Sequence, residues 1–477
     1  MRVAVRLVVL ALAGAAAGIS GDPALAAAPP ADAPKLDGAG LSLLWTLPFA
    51  AILGSIALLP LVAAGLWHHH YGKIAALCAL AFVLPCAIVF GWRTALYELV
   101  HTLLQEYIPF VVLLLALFTV AGGVRVRGEI VGTPLTNTAI LGIGTLLASL
   151  MGTTGASMLL VHPLIRANAW RRRNVHVFVF FIFLVGNIGG ALTPLGDPPL
   201  FIGFLEGVSF FWVTTRMFLP MAVVALPLLA MFYALDSWHW RRETPPSRPA
   251  RAEPFGIDGK RNLALLALIV AAVLMSGVWR PGWGVRVFHT LVEIEDLARS
   301  ILLLAIAGLS WKITRRENRA LNQFTWAPMV EVAKLFFAIF ITIVPAIAII
   351  RAGDQGAARD LLALLNHGGS PDNVMYFWVT GALSSFLDNA PTYLLFFNLA
   401  GGDEVRLMGP LATTLLAISA GAVFMGANTY IGNAPNFMIK AVVEDRGLRM
   451  PSFFGFMAWS GLLLLPLFGL VTILFFA

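Results

Sequence analysis

Two stretches of this chain interrupt apolar helices with glycines, prolines and oxygen-bearing side chains. The first, residues 186–199, places Asn187, Thr193 and Asp197 among four glycines and three prolines. Proline removes a helical hydrogen bond and glycine frees the backbone, so we expect the helix to break here. Inside a bilayer, the freed backbone groups must be satisfied by protein or by water. An ionisable residue at that depth is a functional candidate, and Asp197 is therefore the first.

Three further interruptions carry the same kinds of side chain, centred on residues 151–157, 387–392 and 426–436. They offer hydroxyls, amides and one more carboxylate, but no histidine or cysteine, which disfavours a transition-metal site. A buried carboxylate is costly unless it is protonated or paired with a cation, so a site that must hold H⁺ or Na⁺ suits antiport. Asp197 and Asp388 are the Na⁺ candidates. The full candidate set is Thr153, Thr154, Asn187, Thr193, Asp197, Asp388, Asn389, Thr392, Asn428, Thr429 and Asn433.

The composition is that of a membrane protein. Of 477 residues, 59% are hydrophobic and only 12% are charged, and the mean hydropathy is +0.84. A soluble domain carries about 25% charged residues. The basic residues form no aromatic-interleaved patch, so we expect no nucleic-acid partner. Both cysteines lie in one apolar segment and indicate core packing and not a disulfide.

The chain divides into five parts. Residues 1–28 have the basic start, apolar run and small residues of a cleaved signal peptide, with a retained anchor as the alternative. Residues 29–42 are an extracytoplasmic linker, and residues 236–262 are a cytoplasmic linker between two transmembrane halves, 43–235 and 263–477. The predicted segments are 43–66, 74–92, 108–123, a hairpin at 135–165, a broken helix at 175–205, 212–235, 263–279, 297–313, 331–350, interrupted stretches at 374–400 and 410–443, and 453–476.

The two halves repeat each other. Residues 190–199 align without gaps on 426–435, and Gly152 precedes Asp197 by the same 45 positions that separate Asp388 from Asn433. Five crossings and one re-entrant hairpin in each half predict an inverted repeat in an all-α fold. The distribution of lysines and arginines supports this topology, because basic residues collect in cytoplasmic loops. The six predicted inner loops, which include 67–73, hold twenty of them. The five predicted outer loops, which include 93–107, hold six.

The motifs resemble a known group. Gly-Asn-Ile-Gly-Gly at 186–190, Pro-Leu-Gly-Asp at 194–197 and Asp-Asn-Ala-Pro at 388–391 are similar to the ion transporter superfamily, nearest to its NhaD-type Na⁺/H⁺ antiporters and the related citrate-transport proteins. The resemblance covers about residues 43–477. It implies rocking or elevator-like alternating access, often in a homodimer, with Asn187, Asp197, Asp388 and Asn389 as ion-site residues. Those antiporters usually carry Asp-Asn in the first hairpin, where this chain has Gly152-Thr153.

Two transport functions remain open at this point. The first is a secondary Na⁺(Li⁺)/H⁺ antiporter with midplane carboxylates, and the second is a cation-coupled citrate or other di- or tricarboxylate transporter on the same scaffold. An intramembrane enzyme is disfavoured because neither H-E-x-x-H nor G-x-S-x-G occurs. We expect a multi-pass protein of the bacterial inner membrane with no cofactor beyond Na⁺ and H⁺, and with the lipid bilayer and small ions or a carboxylate as partners.

Overall fold

The computed structural model describes residues 33–128, 130–244, 254, 256–367 and 370–477. The predicted signal peptide at 1–28 lies outside these residues, as do residues 29–32 and, within the predicted linker 236–262, residues 245–253 and 255. The described chain is almost entirely helical and contains nine helices that are long and apolar enough to cross a membrane. It is therefore an all-α polytopic membrane protein. The orientation of the two halves in the bilayer stays a prediction.

Twenty α-helices follow one another in the described residues. In chain order they are α1 Leu47–Val62, α2 Ala64–Val89, α3 Trp92–Thr102, α4 Ile108–Ala121, α5 Pro134–Met151, α6 Thr153–Asn168, α7 Val175–Leu184, α8 Pro198–Leu205, α9 Phe210–Trp240, α10 Lys260–Val278, α11 Ile294–Ile313, α12 Arg316–Leu321, α13 Ala327–Arg351, α14 Arg359–Leu365, α15 Asn373–Phe386, α16 Asn389–Leu399, α17 Glu404–Met408, α18 Ala412–Met425, α19 Ala434–Asp445 and α20 Phe453–Phe475.

In the part of the chain that the structure describes, three short antiparallel strand pairs lie between helices. They are β1 Arg125–Arg127 with β2 Gly256–Asp258, β3 Gly284–Val287 with β4 Thr290–Glu293, and β5 Asn366–His367 with β6 Ser370–Pro371. In the first pair, Asp258 forms ion pairs with Arg125 at 3.6 Å and Arg127 at 3.4 Å. These two ion pairs hold the residues that follow α4 against the residues that precede α10.

The chain forms two compact units. The first comprises Met1–Ala116, Leu268–Ala307 and Trp326–Asp360. In its described part, α13 packs along α2, and Phe110 stacks on Phe336 with ring centroids 4.6 Å apart. The segment before α1 also packs here, because Gly38 lies so close to the backbone of Ala348 that a Cβ would be 1.8 Å from its oxygen.

The second unit comprises Leu117–Ala267, Gly308–Thr325 and Leu361–Ala477, and it contains all four predicted interruptions. Helix α7 runs through its interior, and every residue from His176 to Leu184 is buried. A helix that is apolar on all faces belongs inside protein. Phenylalanines supply most of its contacts, including Phe180 with Phe232 at 5.4 Å and Phe183 with Phe456 at 5.4 Å.

Two predicted loops are helical instead. The predicted inner loop 67–73 lies within α2, because Ala63 alone separates α1 from α2. The predicted outer loop 93–107 forms α3 and a π-helical turn that leads into α4. In both cases polar side chains project from a helix whose other face is buried, at Trp67 in α2 and at Tyr97 in α3. The polar residues in these two segments therefore mark the exposed face of a helix and not a loop.

The first predicted hairpin is also more regular than expected. The polar residues 151–157 do not form an open centre, because only Gly152 leaves the helical conformation, with φ +80°. Small residues and threonines can remain helical when a single glycine provides the turn. Helices α5 and α6 therefore meet directly at Gly152.

Arg319 connects two helix ends within the second unit. Its guanidinium donates to Thr119 O at 3.0 Å and Ser310 O at 3.3 Å, which are carbonyls in the last turns of α4 and α11. Its charge lies over the rings of Trp311 and Phe324, at 4.6 and 5.0 Å. Burial lowers the pKa of Arg319 to about 10, so it remains protonated at neutral pH. A cation is favourable at helix C-termini.

We expect Arg319→Met to lower the apparent melting temperature of the purified protein by several degrees. The substitution leaves two carbonyls without their charged donor, and a hydrogen bond to a charged group contributes about 1.5–3 kcal/mol. Thermal unfolding in detergent measures the effect. Arg316→Met, on the exposed side of the same helix, is the matched control and should leave the melting temperature unchanged. Equal melting temperatures for the two variants would contradict the bridging role of Arg319.

Candidate functional site

Two helices of the second unit are interrupted in the same way. After α7 the chain forms a 3₁₀ turn at Ile188–Leu192, and α8 begins at Pro198 with Asp197 as its N-cap. After α18 the chain forms a 3₁₀ turn at Gly426–Asn428, and α19 begins with Asn433 as its N-cap. Asp197 and Asn433 are 236 positions apart and both have extended backbone.

A threonine in each interruption forms a hydrogen bond to the neighbouring helix pair. Thr193 donates its hydroxyl to Ser149 O, and Thr429 donates to Ser385 O. Each threonine oxygen also accepts a backbone N–H two residues later, from Leu195 at 3.1 Å and from Ile431 at 3.2 Å. The same contacts recur at the 236-residue spacing. Both hydroxyls therefore satisfy backbone groups within the interruptions.

Glycines allow each interrupted backbone to cross itself. A Cβ on Gly196 would lie 2.2 Å from Gly190 O, and a Cβ on Gly432 would lie 2.6 Å from Gly426 O. Real Cβ atoms do not approach a backbone oxygen so closely, and neither Gly196 nor Gly432 has a positive φ. Close approach, and not backbone conformation, is therefore what requires glycine at both positions.

The carboxylate of Asp197 lies at the centre of these elements and is 2% exposed. Oδ1 accepts from the Thr153 hydroxyl at 3.1 Å and from Asn433 Nδ2 at 3.2 Å, and Oδ2 accepts from Asn389 Nδ2 at 2.5 Å. The backbone N–H of Thr153 also donates to Gly196 O at 2.9 Å. Asp197 therefore accepts hydrogen bonds from three elements other than its own.

An amide network continues from Asp197 to the other interruption. Asn433 Nδ2 also lies 3.2 Å from both Gly186 O and Asn187 Oδ1. Asn187 Nδ2 in turn donates to Asn436 Oδ1 at 2.7 Å, and Asn436 Nδ2 donates to Gly426 O and Thr429 O. This network ties α7 to α19 and orients the Asn433 amide so that its Nδ2 faces Asp197.

The charge around Asp197 comes from helix ends and not from basic side chains. Among the described residues, no lysine, arginine or histidine bonds to its carboxylate. Thr153 and Asn389 are the first residues of α6 and α16, while Asp197 and Asn433 occupy the N-cap positions of α8 and α19. Four helix N-termini, each with a positive dipole end, therefore meet at one carboxylate.

The other predicted site residues make different contacts. Asp388 is half-buried and accepts the backbone N–H of Ala390 at 3.1 Å, which makes it the N-cap of α16. Thr392 donates to Asp388 O at 3.0 Å, and Asn428 donates to the Ser385 hydroxyl at 2.9 Å. Thr154 is half-buried beside Thr153. The structure thus unites Thr153, Asn187, Asp197, Asn389 and Asn433 in one hydrogen-bonded set.

Three residues of this region were not among the predicted site residues. Asn436 links Asn187 to the backbone of the second interruption, and the hydroxyls of Ser149 and Ser385 meet the backbone at Gly189 O and Met425 O. Asn436 lies three positions after Asn433 in the first turn of α19, on the same helix face. The two serines share the 236-residue spacing. These spacings were the signals available in the sequence.

We expect Gly196→Ala and Gly432→Ala each to abolish transport and to lower the yield of folded protein. A methyl group at either position collides with a backbone oxygen that cannot move without opening the interruption. Size-exclusion profiles and vesicle transport provide the measurements. Gly469→Ala in α20 is the matched control, because no atom lies within 4 Å of its Cβ position. Normal transport by Gly196→Ala would refute the close approach.

Known proteins that resemble this chain are transporters or carry the name P protein. The model of a family described as "Putative citrate transport" matches residues 38–476. An uncharacterized transporter of Mycobacterium tuberculosis is 23% identical over 325 residues, which cover 66% of this chain and 71% of that protein. The P proteins of Mus musculus and Homo sapiens are 23% identical over 333 and 337 residues. These matches cover 55% of this chain and only 39% of each P protein.

Proposed function

The chain belongs to the putative citrate transport family, and from this premise we propose that it is a secondary active transporter that exchanges Na⁺ or Li⁺ for H⁺ at Asp197. The observation that carries the proposal is the bonding of this buried carboxylate. It accepts from Thr153, Asn389 and Asn433, which are all neutral. A carboxylate in such a place can hold either a proton or a monovalent cation, and it cannot hold both.

The amides around Asp197 allow this exchange. Asn389 directs Nδ2 to Asp197, while its Oδ1 is buried and has no hydrogen-bond partner among the described residues. Rotation of this amide would present an oxygen beside the carboxylate, as Na⁺ requires. We propose that the donor arrangement belongs to the cation-free carboxylate and the rotated arrangement to the cation-bound state.

Asp388 is proposed as the second carboxylate of the ion pathway. It begins the helix whose first residue, Asn389, contacts Asp197. At the N-cap position, the side chain of Asp388 is half-buried, so part of it remains accessible to solvent. We place the protein in a bacterial inner membrane, where alternating access by two inverted halves would expose Asp197 to each side in turn.

A second candidate function is cation-coupled transport of citrate or another carboxylate. The description of the family favours it, and so do the four helix N-termini, because their dipoles favour negative charge. Against it, among the described residues no basic side chain reaches Asp197. A substrate with about three negative charges would then depend on helix dipoles and bound cations alone.

We expect Asp197→Asn to reduce cation-driven proton movement to the level of vesicles without the protein. The amide keeps the shape of the side chain, but it cannot be protonated at neutral pH and carries no negative charge to balance a cation. Inside-out vesicles holding a pH gradient, read with a pH-sensitive dye, receive Na⁺, Li⁺, K⁺ and then citrate. Dissipation by Na⁺ or Li⁺ supports antiport. Labelled citrate uptake in right-side-out vesicles, without any response to cations, would replace antiport with the carboxylate function.

Asp388→Asn should retain measurable transport at a reduced rate. Asparagine is as good an N-cap as aspartate, so α16 keeps its start and only the charge is lost. The same vesicle assay compares this variant with Asp197→Asn. Complete loss of transport in Asp388→Asn with correctly folded protein would give Asp388 the coupling role instead of Asp197.

Competition between H⁺ and Na⁺ at one carboxylate also predicts a pH dependence. Acidification protonates Asp197 and removes the negative charge that binds Na⁺, so the apparent KM for Na⁺ should rise as pH falls. One proton displaced by one cation gives about a tenfold rise per pH unit on the acidic side of the carboxyl titration. Initial rates at a series of Na⁺ concentrations and pH values measure it. A KM that is independent of pH would refute competition at Asp197.

A further inference from the structure

Four exposed arginines form one patch at an end of the second unit, which we call the arginine patch. They are Arg172 and Arg173 in the loop between α6 and α7, and Arg241 and Arg242 immediately after α9. The backbone N–H of Arg173 donates to Glu243 Oε1 at 3.0 Å, which places the loop beside the end of α9. The two pairs of arginines therefore lie on one continuous surface.

A buried ion pair holds this surface in place. Arg171 pairs with Asp236 of α9 at 2.6 Å, and both side chains are fully buried. His176 Nε2 lies 2.8 Å from the same carboxylate oxygen, and Asn137 Nδ2 donates to the other oxygen at 3.0 Å. The loop is thus attached to α5, α7 and α9 by side chains beneath the patch. Its arginines are presented on a preorganised support, which reduces the ordering cost of binding.

The carboxylates close to the patch are already engaged. Asp236 is bound by Arg171 and His176, and Glu243 faces the Nε of Arg171 at 3.7 Å. Among the described residues, none of the four patch arginines forms an ion pair with a carboxylate. The patch thus presents four positive charges that the described residues do not neutralise.

Tryptophans accompany these arginines. Trp238 is 48% exposed, and the Arg242 guanidinium lies 3.6 Å from its ring centroid. Trp170 and Trp240 pack edge to face beneath the loop, with centroids 5.5 Å apart. Exposed tryptophans are typical of the headgroup level of a bilayer. The four arginines of the patch lie in two of the loops that are predicted to be cytoplasmic.

We propose that the arginine patch binds the headgroup of an anionic phospholipid at the cytoplasmic surface of the membrane. Guanidinium groups bind phosphate oxygens in pairs, and the exposed ring of Trp238 beside Arg242 offers the kind of side chain that favours the headgroup level of a bilayer. The proposal concerns lipid recognition and does not depend on the transported ion. Its failure would leave the proposed function untouched.

Lipid-dependent thermal stability of the purified full chain tests the proposal. Dioleoylphosphatidylglycerol is compared with dioleoylphosphatidylcholine in detergent at low salt, and inorganic phosphate is a third addition. We expect the anionic lipid alone to raise the apparent melting temperature of the wild type by several degrees. Stabilisation by phosphatidylcholine to the same extent would overturn the proposal, as would full stabilisation by inorganic phosphate without lipid.

Two triple variants, each of which removes three positive charges, distinguish lipid binding at the arginine patch from a general effect of surface charge. Arg172→Gln/Arg173→Gln/Arg242→Gln should lose most of the lipid-dependent increment. Lys312→Gln/Arg315→Gln/Arg316→Gln removes exposed charges from another predicted cytoplasmic loop and should keep the increment. Native mass spectrometry should show fewer bound phosphatidylglycerol molecules only on the first variant. Equal losses in both variants would refute a specific lipid site.

Discussion

Burying a carboxylate without a basic partner requires that hydrogen bonds and dipoles supply what a counterion would. At Asp197 this requirement is met by Thr153, Asn389 and Asn433, which reach it from three other elements. Each donor lies at the start of a helix, so the backbone must be interrupted four times to bring four N-termini to one point. The interruptions, the helix pairs and the amide network all serve this convergence, and removing any one of them would leave a buried polar group without its partner.

The interruptions themselves are stable because their backbone groups are satisfied locally. Thr193 and Thr429 bind carbonyls of the adjacent helix pairs, while Asn436 satisfies two carbonyls of the second interruption. Glycines permit the chain to cross at contact distance, so the space is filled by backbone and not by side chains. Beside Asp197, the side-chain oxygen of Asn389 is buried and has no hydrogen-bond partner among the described residues, so this amide is the group that could turn without losing a bond to that oxygen.

Sequence reasoning located the interruptions but not all of their bonds. Glycine and proline interrupt the helical pattern where α7 ends and α8 begins, and the gap-free alignment of residues 190–199 on 426–435 identified Asn433 as the position that matches Asp197. The interruption alone could not reveal that Asp388 would cap its own helix, because an N-cap aspartate and a ligand occupy the same place in the sequence. The helical course of residues 93–107 was missed because amphipathic helix and polar loop have similar composition.

The 3.2 Å contact between Asn433 and Asp197 has a consequence for the likeness of the two halves. The two residues occupy equivalent positions, yet one must donate where the other accepts. Two aspartates at this distance would repel each other or share a single proton, and two asparagines would supply no titratable group and no negative charge. The two halves can therefore carry the same residue at the threonine positions, Thr193 and Thr429, and at the glycine positions, Gly196 and Gly432. They must carry different residues at Asp197 and Asn433. A difference between the halves at this pair is therefore what allows one side chain to donate to the other.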